Sequence, residues 1–292
     1  MTEAEVDAVP YPDGGIDILM ITYDRPEYVR LSLPHLLGTC PPDARVWLWH
    51  NGTDRPTVAA VEEFRHHPRV HRFRHSEVNA GLTEPTNWLW RESTGAFLSK
   101  VDDDCLPDPD WLATLRRAHR DVPEFGVVGS WRFPPEDVDE TLVAAKLADY
   151  PGGHRLLRNH WVQGSGYLLK REVLRQVGPL ADGETFTAWC LRAARLGWVN
   201  GWYHPFLPED HMDDPRSPHT IYRTDADFMA RRPLSARRTG VTTVAEWTAQ
   251  MRHSARVVQA APLDLREYQG WRLRRRNATR RIRLALTGRA PW

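Results

Sequence analysis

Asp102, Asp103 and Asp104 are the residues whose chemistry stands out first. Adjacent carboxylates repel one another unless a cation or a hydrogen-bond donor offsets their charge. Hard oxygen ligands of this kind suit Mg2+ or Mn2+, and Mg2+ is often shared between one or two carboxylates and a substrate phosphate. An acidic surface turn is the plainer alternative. A calcium loop of the EF-hand type fits less well, because the glycine and terminal glutamate of that loop are missing. The residues just before the acids, Ala96-Phe97-Leu98-Ser99-Lys100-Val101, form a largely apolar run suited to a buried strand. Pro107 and Pro109 follow, so the chain turns at once, and a helix is expected from about Pro109 with Asp108 as its cap. The acids therefore belong at the carboxyl end of a strand, which is where open α/β sheets bind ligands.

The elements that must position them alternate in type. Ile16–Thr22 reads as a first strand, broken by Tyr23-Asp24-Arg25-Pro26. Pro26 opens a helix carrying Tyr28, Val29, Leu31 and Leu33, which Pro34 is expected to kink or divide. Ala44–His50 is a second strand, ended by Asn51-Gly52-Thr53-Asp54, and 56–64 is a helix. Arg69–Arg74 alternates apolar and basic residues, as a strand with one wet face would. The loop 77–82 and a helix over 85–92 lead to the strand that carries the three acids. Strands alternating with helices imply a mostly parallel, doubly wound sheet of the α/β class.

Composition narrows the function classes. With 292 residues and a net charge of +1, the chain is large enough for a substantial core and is not a nucleic-acid-binding type overall. Cys40, Cys105 and Cys190 form neither a metal pattern nor a disulfide framework, which suits a reducing cytoplasm. No apolar run approaches a membrane span. Residues 1–15 read as a disordered lead-in without a signal-peptide core. Arg272–Arg283 holds seven arginines and no acid, within a helical, basic extension over 221–292.

Taken in order, Thr22-Tyr23-Asp24-Arg25-Pro26, His50-Asn51-Gly52-Thr53-Asp54, Asn79-Ala80-Gly81, Asn87 and Val101-Asp102-Asp103-Asp104 resemble the family 2 glycosyltransferases of the GT-A fold. Each motif is weak alone; their shared order on strand ends and loops is specific, and the resemblance spans about 16–215, implying a GT-A domain over 16–220 with a nucleotide-sugar half at 16–110 and an acceptor half at 111–220. The resemblance implies that Thr22, Asp24 and Arg25 hold the base and ribose, that Asn51 lies near the base, and that Asn79 and Gly81 approach the nucleoside. It implies that Asp102 and Asp103 face the donor, and that Asp102 and Asp104 hold Mn2+ or Mg2+ on its diphosphate. His50 stands where many members carry aspartate. That departure leaves the base open, with a UDP-sugar the favoured donor.

The acceptor half matches again at Trp161–Arg171, where the family has a glycine-containing strand leading into a helix; Gly164 and Gly166 would let a ligand approach the backbone or would mark a bulge. Many members carry a Glu-Asp pair six or seven residues before the arginine that matches Arg192, and one of these acids is the general base of an inverting transfer. Thr185 and Phe186 occupy that register here. Glu184 is the first candidate base and Asp182 the second, with a helix-dipole role for Glu184 as the structural alternative. His211, or else His204, matches the histidine that some members add to the metal, which would favour manganese. Trp131, Trp161, Trp189 and Trp202 are candidate acceptor contacts. The basic tail reads first as a solvated helix, open to a homo-oligomer contact; a peripheral contact with the inner membrane face and binding of a phosphorylated acceptor are the alternatives.

The reading is therefore a cytoplasmic, metal-dependent, inverting glycosyltransferase that moves a sugar from a nucleotide-sugar to a hydroxyl of a glycan, a lipid-linked saccharide or a small natural product. A non-catalytic nucleotide or membrane-surface binding protein with a decayed site is one rival. A sugar-phosphate nucleotidyltransferase is another, although Tyr23-Asp24-Arg25-Pro26 supplies no glycine-rich phosphate loop.

Overall fold

The computed structural model of the chain describes residues 14–275 and 278. The proposed lead-in, apart from Gly14 and Gly15, and most of the arginine run Arg272–Arg283 lie outside these residues. The chain forms two compact units, one from residues up to Arg132 with Ala148–Glu209, the other from Phe133–Leu147 with the residues from Asp210 onward.

In the first unit, strand β1 (Ile16–Thr22), helix α1 (Pro26–Thr39), β2 (Ala44–Asn51), α2 (Arg55–Glu62), β3 (Val70–Ser76), α3 (Thr83–Glu92) and β4 (Phe97–Asp102) follow in chain order. Every residue of β1 is buried, which is why Ile18–Ile21 are continuously apolar rather than alternating; the buried Asp17 accepts from Trp47 Nε1 (2.7 Å) and the Gly95 amide (2.7 Å). The strands lie side by side as β3-β2-β1-β4 and are parallel. Their register brings the carboxyl ends level, Thr22 beside His50, His50 beside His75, and Ile21 beside Asp102. Pro34 does not divide α1, which runs unbroken with Tyr28, Val29, Leu33, Leu36 and Leu37 buried along one side. The loss of one backbone hydrogen bond is outweighed by that packing.

After β4 come the short strand β5 (Cys105–Pro107), α4 (Trp111–Asp121) and β6 (Phe125–Gly129). Helix α4 starts at Trp111, two residues beyond the expected Pro109, and Asp108 caps a turn instead: its Oδ1 accepts from the Asp110 amide (3.0 Å) and its carbonyl from the Trp111 amide (3.1 Å). The remaining elements are α5 (Glu140–Ala144), β7 (Leu147–Tyr150), β8 (His154–Asn159), β9 (Tyr167–Lys170), α6 (Arg171–Val177), α7 (Phe186–Arg195), β10 (Val199–His204) and β11 (Glu209–His211). Strand β9 runs antiparallel between β4 and β6, and β10, β8 and β7 extend the sheet. Gly164 and Gly166 precede β9 rather than lying in it. Trp131, Trp189 and Trp202 are buried, with Trp131 stacked on Phe206 at 4.2 Å, so these three are packing residues and not open sugar platforms; Trp161 is partly exposed.

The second unit begins at Asp210, short of the boundary expected near 220, and it takes in α5. Side chains explain that membership. The Arg216 guanidinium binds both oxygens of Asp137 (2.8 and 2.6 Å) and of Asp214 (2.9 and 2.7 Å). Gln259 accepts from the Asp139 amide and donates to the Asp137 carbonyl. The unit also contains α8 (Asp225–Arg231), α9 (Leu234–Thr239) and α10 (Val244–Gln259), packed on Tyr222, Phe228, Trp247 and Met251. Thr243 and Glu246 cap α10 reciprocally. No helix among the described residues is long and apolar enough to cross a membrane.

Candidate active site

The three acids leave the end of β4 beside the end of β1. Asp103 and Asp104 are only 3% and 7% exposed, which rules out an acidic surface turn. The segment after β1 meets them. The Tyr23 amide donates to Asp103 Oδ2 (3.0 Å), and the Arg25 guanidinium bridges Asp103 Oδ1 (2.9 Å) and Asp104 Oδ2 (3.1 Å). Lys100, buried one turn of the pleat before Asp102, forms an ion pair with it. Burial holds the Asp103 carboxyl above its usual range; Arg25 and the Tyr23 amide pull it down, while Asp104 and Asp102 push it further up. The carboxylates are thus held close together by donors from two neighbouring elements. Their hard oxygen atoms, with Asp102 the most exposed of the three, fit a divalent cation of the Mg2+ or Mn2+ kind.

Next to this point lies a cleft of about 440 Å³, lined by Tyr23, Asp24, Gly52, Thr53, Asp54, Glu77 and Asn79. It sits over the carboxyl ends of β1, β2 and β3, the ligand side of a doubly wound sheet. Asp24 carries its side chain on a backbone with φ of +50°, a conformation uncommon outside glycine and frequent at ligand sites. Asp54 caps α2 by accepting from the Thr57 amide (2.9 Å), which fixes one rim. Asn79 shapes the opposite rim, its Oδ1 accepting from the Gly81 amide (2.9 Å), with Gly81 at φ +70°.

Other expected nucleotide contacts act from beneath. Thr22 is buried and shares a 2.8 Å hydrogen bond with His50 Nδ1. Asn51 is buried with its amide committed, donating to the Gly81 carbonyl (3.1 Å) and accepting from the Ala80 amide (3.1 Å) and Trp49 Nε1 (2.9 Å). Both position the cleft walls rather than line them. Burial pushes the His50 imidazole down to about 4, so it is neutral at pH 7. Tyr23, Gly52, Thr53, Asp54 and Glu77 line the cleft without having been singled out as ligand contacts. Asp54 and Tyr23 stood inside the motifs already quoted, so the signal was present; Glu77 and Lys100 carried none beyond adjacency.

The model of glycosyl transferase family 2 matches residues 17–178, the span that carries the strand ends, the cleft and the three acids. The chain belongs to glycosyl transferase family 2. As a family 2 member it is a glycosyltransferase that uses a nucleotide-sugar. Its fold is similar to that of the mannosyltransferase PcManGT from Pyrobaculum calidifontis, solved in complex with GDP-Man and Mn2+, with a TM-score of 0.56 at 17% identity over 95% of this chain and 83% of that one. No curated protein matches the chain.

The two acids expected as base in this family 2 chain differ in their surroundings. Glu184 gives both oxygens to Arg192 (2.9 and 2.8 Å) and one also to the Ala181 amide (2.9 Å). Arg192 in turn holds the Val177 and Pro179 carbonyls (2.8 and 2.7 Å), so the pair clamps the loop before α7. Thr185, not Glu184, caps α7. Asp182 is exposed. His211 is buried at the end of β11 and belongs to the second unit. His204 ends β10 and is partly buried. Gly164 has open space around it, whereas Gly166 is crowded by Ser130 and Glu209, so only the former leaves room for a ligand.

Proposed function

We propose that the chain is a metal-dependent, inverting glycosyltransferase that moves a sugar from a nucleotide-sugar to a hydroxyl acceptor. The observation that carries this reading is the convergence of Asp102, Asp103 and Asp104 with Tyr23 and Arg25 beside the cleft over β1–β3. Asp102 and Asp104 would hold Mn2+. The cation supplies neutralisation of the charge that develops on the leaving diphosphate. Tyr23, Asp24, Thr53 and Asn79 bind the nucleoside in the cleft. For the base, a UDP-sugar follows from the family pattern, and GDP-Man in the similar mannosyltransferase makes GDP-sugars the second series to test.

An inverting transfer needs a carboxylate to take the acceptor proton as the hydroxyl attacks. Glu184 is held by Arg192 and Asp182 is exposed, which supports giving the base role to Asp182. The acceptor class stays a glycan, a lipid-linked saccharide or a natural product, with a cytoplasmic site of action at or near the inner membrane face. A donor-hydrolysis and transfer assay with UDP- and GDP-sugars in Mn2+ tests the reading. Wild-type protein is expected to release nucleoside diphosphate, and Asp104→Ala to release it about 1000-fold more slowly. Equal release by both proteins contradicts it.

One observation favours a second reading, a nucleotide-binding module with a decayed site: Thr185 and Phe186 replace the family's acidic pair. Nucleotide binding without any turnover, in wild-type protein across both donor series, is the result that reading requires.

A further inference from the structure

Glu209 is 2% exposed and its partners are two serine hydroxyls. Its Oε1 accepts from Ser165 Oγ (2.6 Å) and its Oε2 is bonded to Ser130 Oγ. A carboxylate is not buried in this way without consequence for the groups that satisfy it. The pairing of β4 with β9 runs from Phe97 opposite Lys170 to Lys100 opposite Tyr167, and continuing that register sets Ser165 opposite Asp102. The Gly166 amide still donates to the Lys100 carbonyl (2.9 Å), but Gly166 at φ +62° takes the chain out of the strand. The next bond of the ladder is therefore made by a side chain: Ser165 Oγ accepts from the Asp102 amide (3.0 Å). That hydroxyl has one proton, which it donates in its hydrogen bond to Glu209, and this turns the oxygen lone pair toward Asp102. A β-carbon at Gly166 would overlap Glu209 Oε2 and Ser130 Oγ, so the glycine is what admits the carboxylate.

From this chain of contacts we infer that Glu209 is a positioning residue for the cation-binding strand end. Acting through the Ser165 hydroxyl, it fixes the Asp102 amide and so the direction in which Asp102, Asp103 and Asp104 leave β4. The inference rests on the metal-dependent reading above. Groups that orient metal ligands from behind typically change metal affinity or activity by about 10- to 100-fold when removed.

The test is Mn2+ binding in the presence of UDP or GDP, read by the loss of the free-ion electron paramagnetic resonance signal, with thermal unfolding followed in parallel. Glu209→Ala and Ser165→Ala are each expected to weaken Mn2+ binding about tenfold. The double variant is expected to lose no more than the larger single loss, because both act through one hydroxyl. Glu209→Gln keeps an acceptor oxygen for Ser165 and should bind within about threefold of wild type. If Glu209→Ala does not fold, Ser165→Ala, which removes one hydroxyl, carries the test. Single variants that bind Mn2+ like wild type, losses that multiply in the double variant, or a glutamine variant as weak as alanine each overturn the inference while leaving the glycosyltransferase reading intact. Wild-type protein that takes up no Mn2+ with either nucleotide overturns both.

Discussion

The strand ends around the three acids and the loop before α7, the proposed donor and acceptor sides, are built on different terms. On the donor side, the ends of β1, β2 and β4 are level, and nearly every polar group there is held by another from a different strand: Tyr23 and Arg25 on Asp103, Thr22 on His50, Asn51 on the Ala80–Gly81 loop, Ser165 on Asp102. On the acceptor side, Glu184 and Arg192 lock a loop to its own following helix, eight residues apart in sequence. The first arrangement concentrates like charges and holds them at a stated place, which serves chemistry. The second satisfies a carboxylate locally, which serves stability. A carboxylate near a family motif is therefore informative only once its partners are known.

The largest expected effect comes from breaking the donor side at its centre. Asp104→Ala should lower transfer about 1000-fold, equivalent to about 4 kcal/mol, with the unfolding transition kept, as read by initial rates and circular dichroism. On the other side, Asp182→Asn should lower kcat about 100-fold while leaving nucleotide binding unchanged by calorimetry. A kcat equal to wild type would remove Asp182 as the base and dissolve the proposed division of labour between the acids.

Acid separates the regions through His50. Its folded value of about 4 lies below the 6.5 of an unfolded histidine, so the unfolded chain binds the proton first. Stability is full above about pH 6.5 and falls as pH drops through the window down to about 4. Moving from pH 7.5 to 5.5 should cost about 1.4 kcal/mol from this group. His119, pushed down to about 3 by burial, adds a similar amount. Thermal unfolding at the two pH values checks the sign, and His50→Gln should flatten the dependence. The smallest effect sharpens the comparison most: Glu184→Gln should lower stability by about 1 kcal/mol and change kcat less than threefold. A 100-fold loss of kcat in Glu184→Gln would return the base role to Glu184.

Much of the fold was legible because the central strands are buried on both faces, so each carries an unbroken apolar run, Ile18–Ile21 in β1 and Val46–Trp49 in β2. The three acids at the end of β4, and their need for a compensating charge, were legible for the same local reason. What failed was long-range. Asp108 was read as a helix cap, but its amide is tied to the remote Pro208 carbonyl (2.9 Å) and its side chain closes a turn on the Asp110 amide. The glycines before β9 were read as room for a ligand, but Gly166 is filled by Glu209, a residue remote in sequence. The tryptophans at 131, 161, 189 and 202 looked like sugar contacts, but Trp131, Trp189 and Trp202 are buried, Trp131 against Phe206 and Trp202, and Trp161 alone of the four is partly exposed. The unit boundary depends on Arg216 reaching back to Asp137, a pairing that no periodicity announces.

The most direct test of a metal-dependent nucleotide-sugar site at Asp102–Asp104 is calorimetric titration with UDP-, GDP- and dTDP-sugars, first in Mn2+ and then in EDTA. Binding of one series that disappears in EDTA, and is absent from Asp104→Ala in Mn2+, is the predicted result. Binding that is the same in EDTA as in Mn2+, or no binding of any series by folded protein, would contradict it.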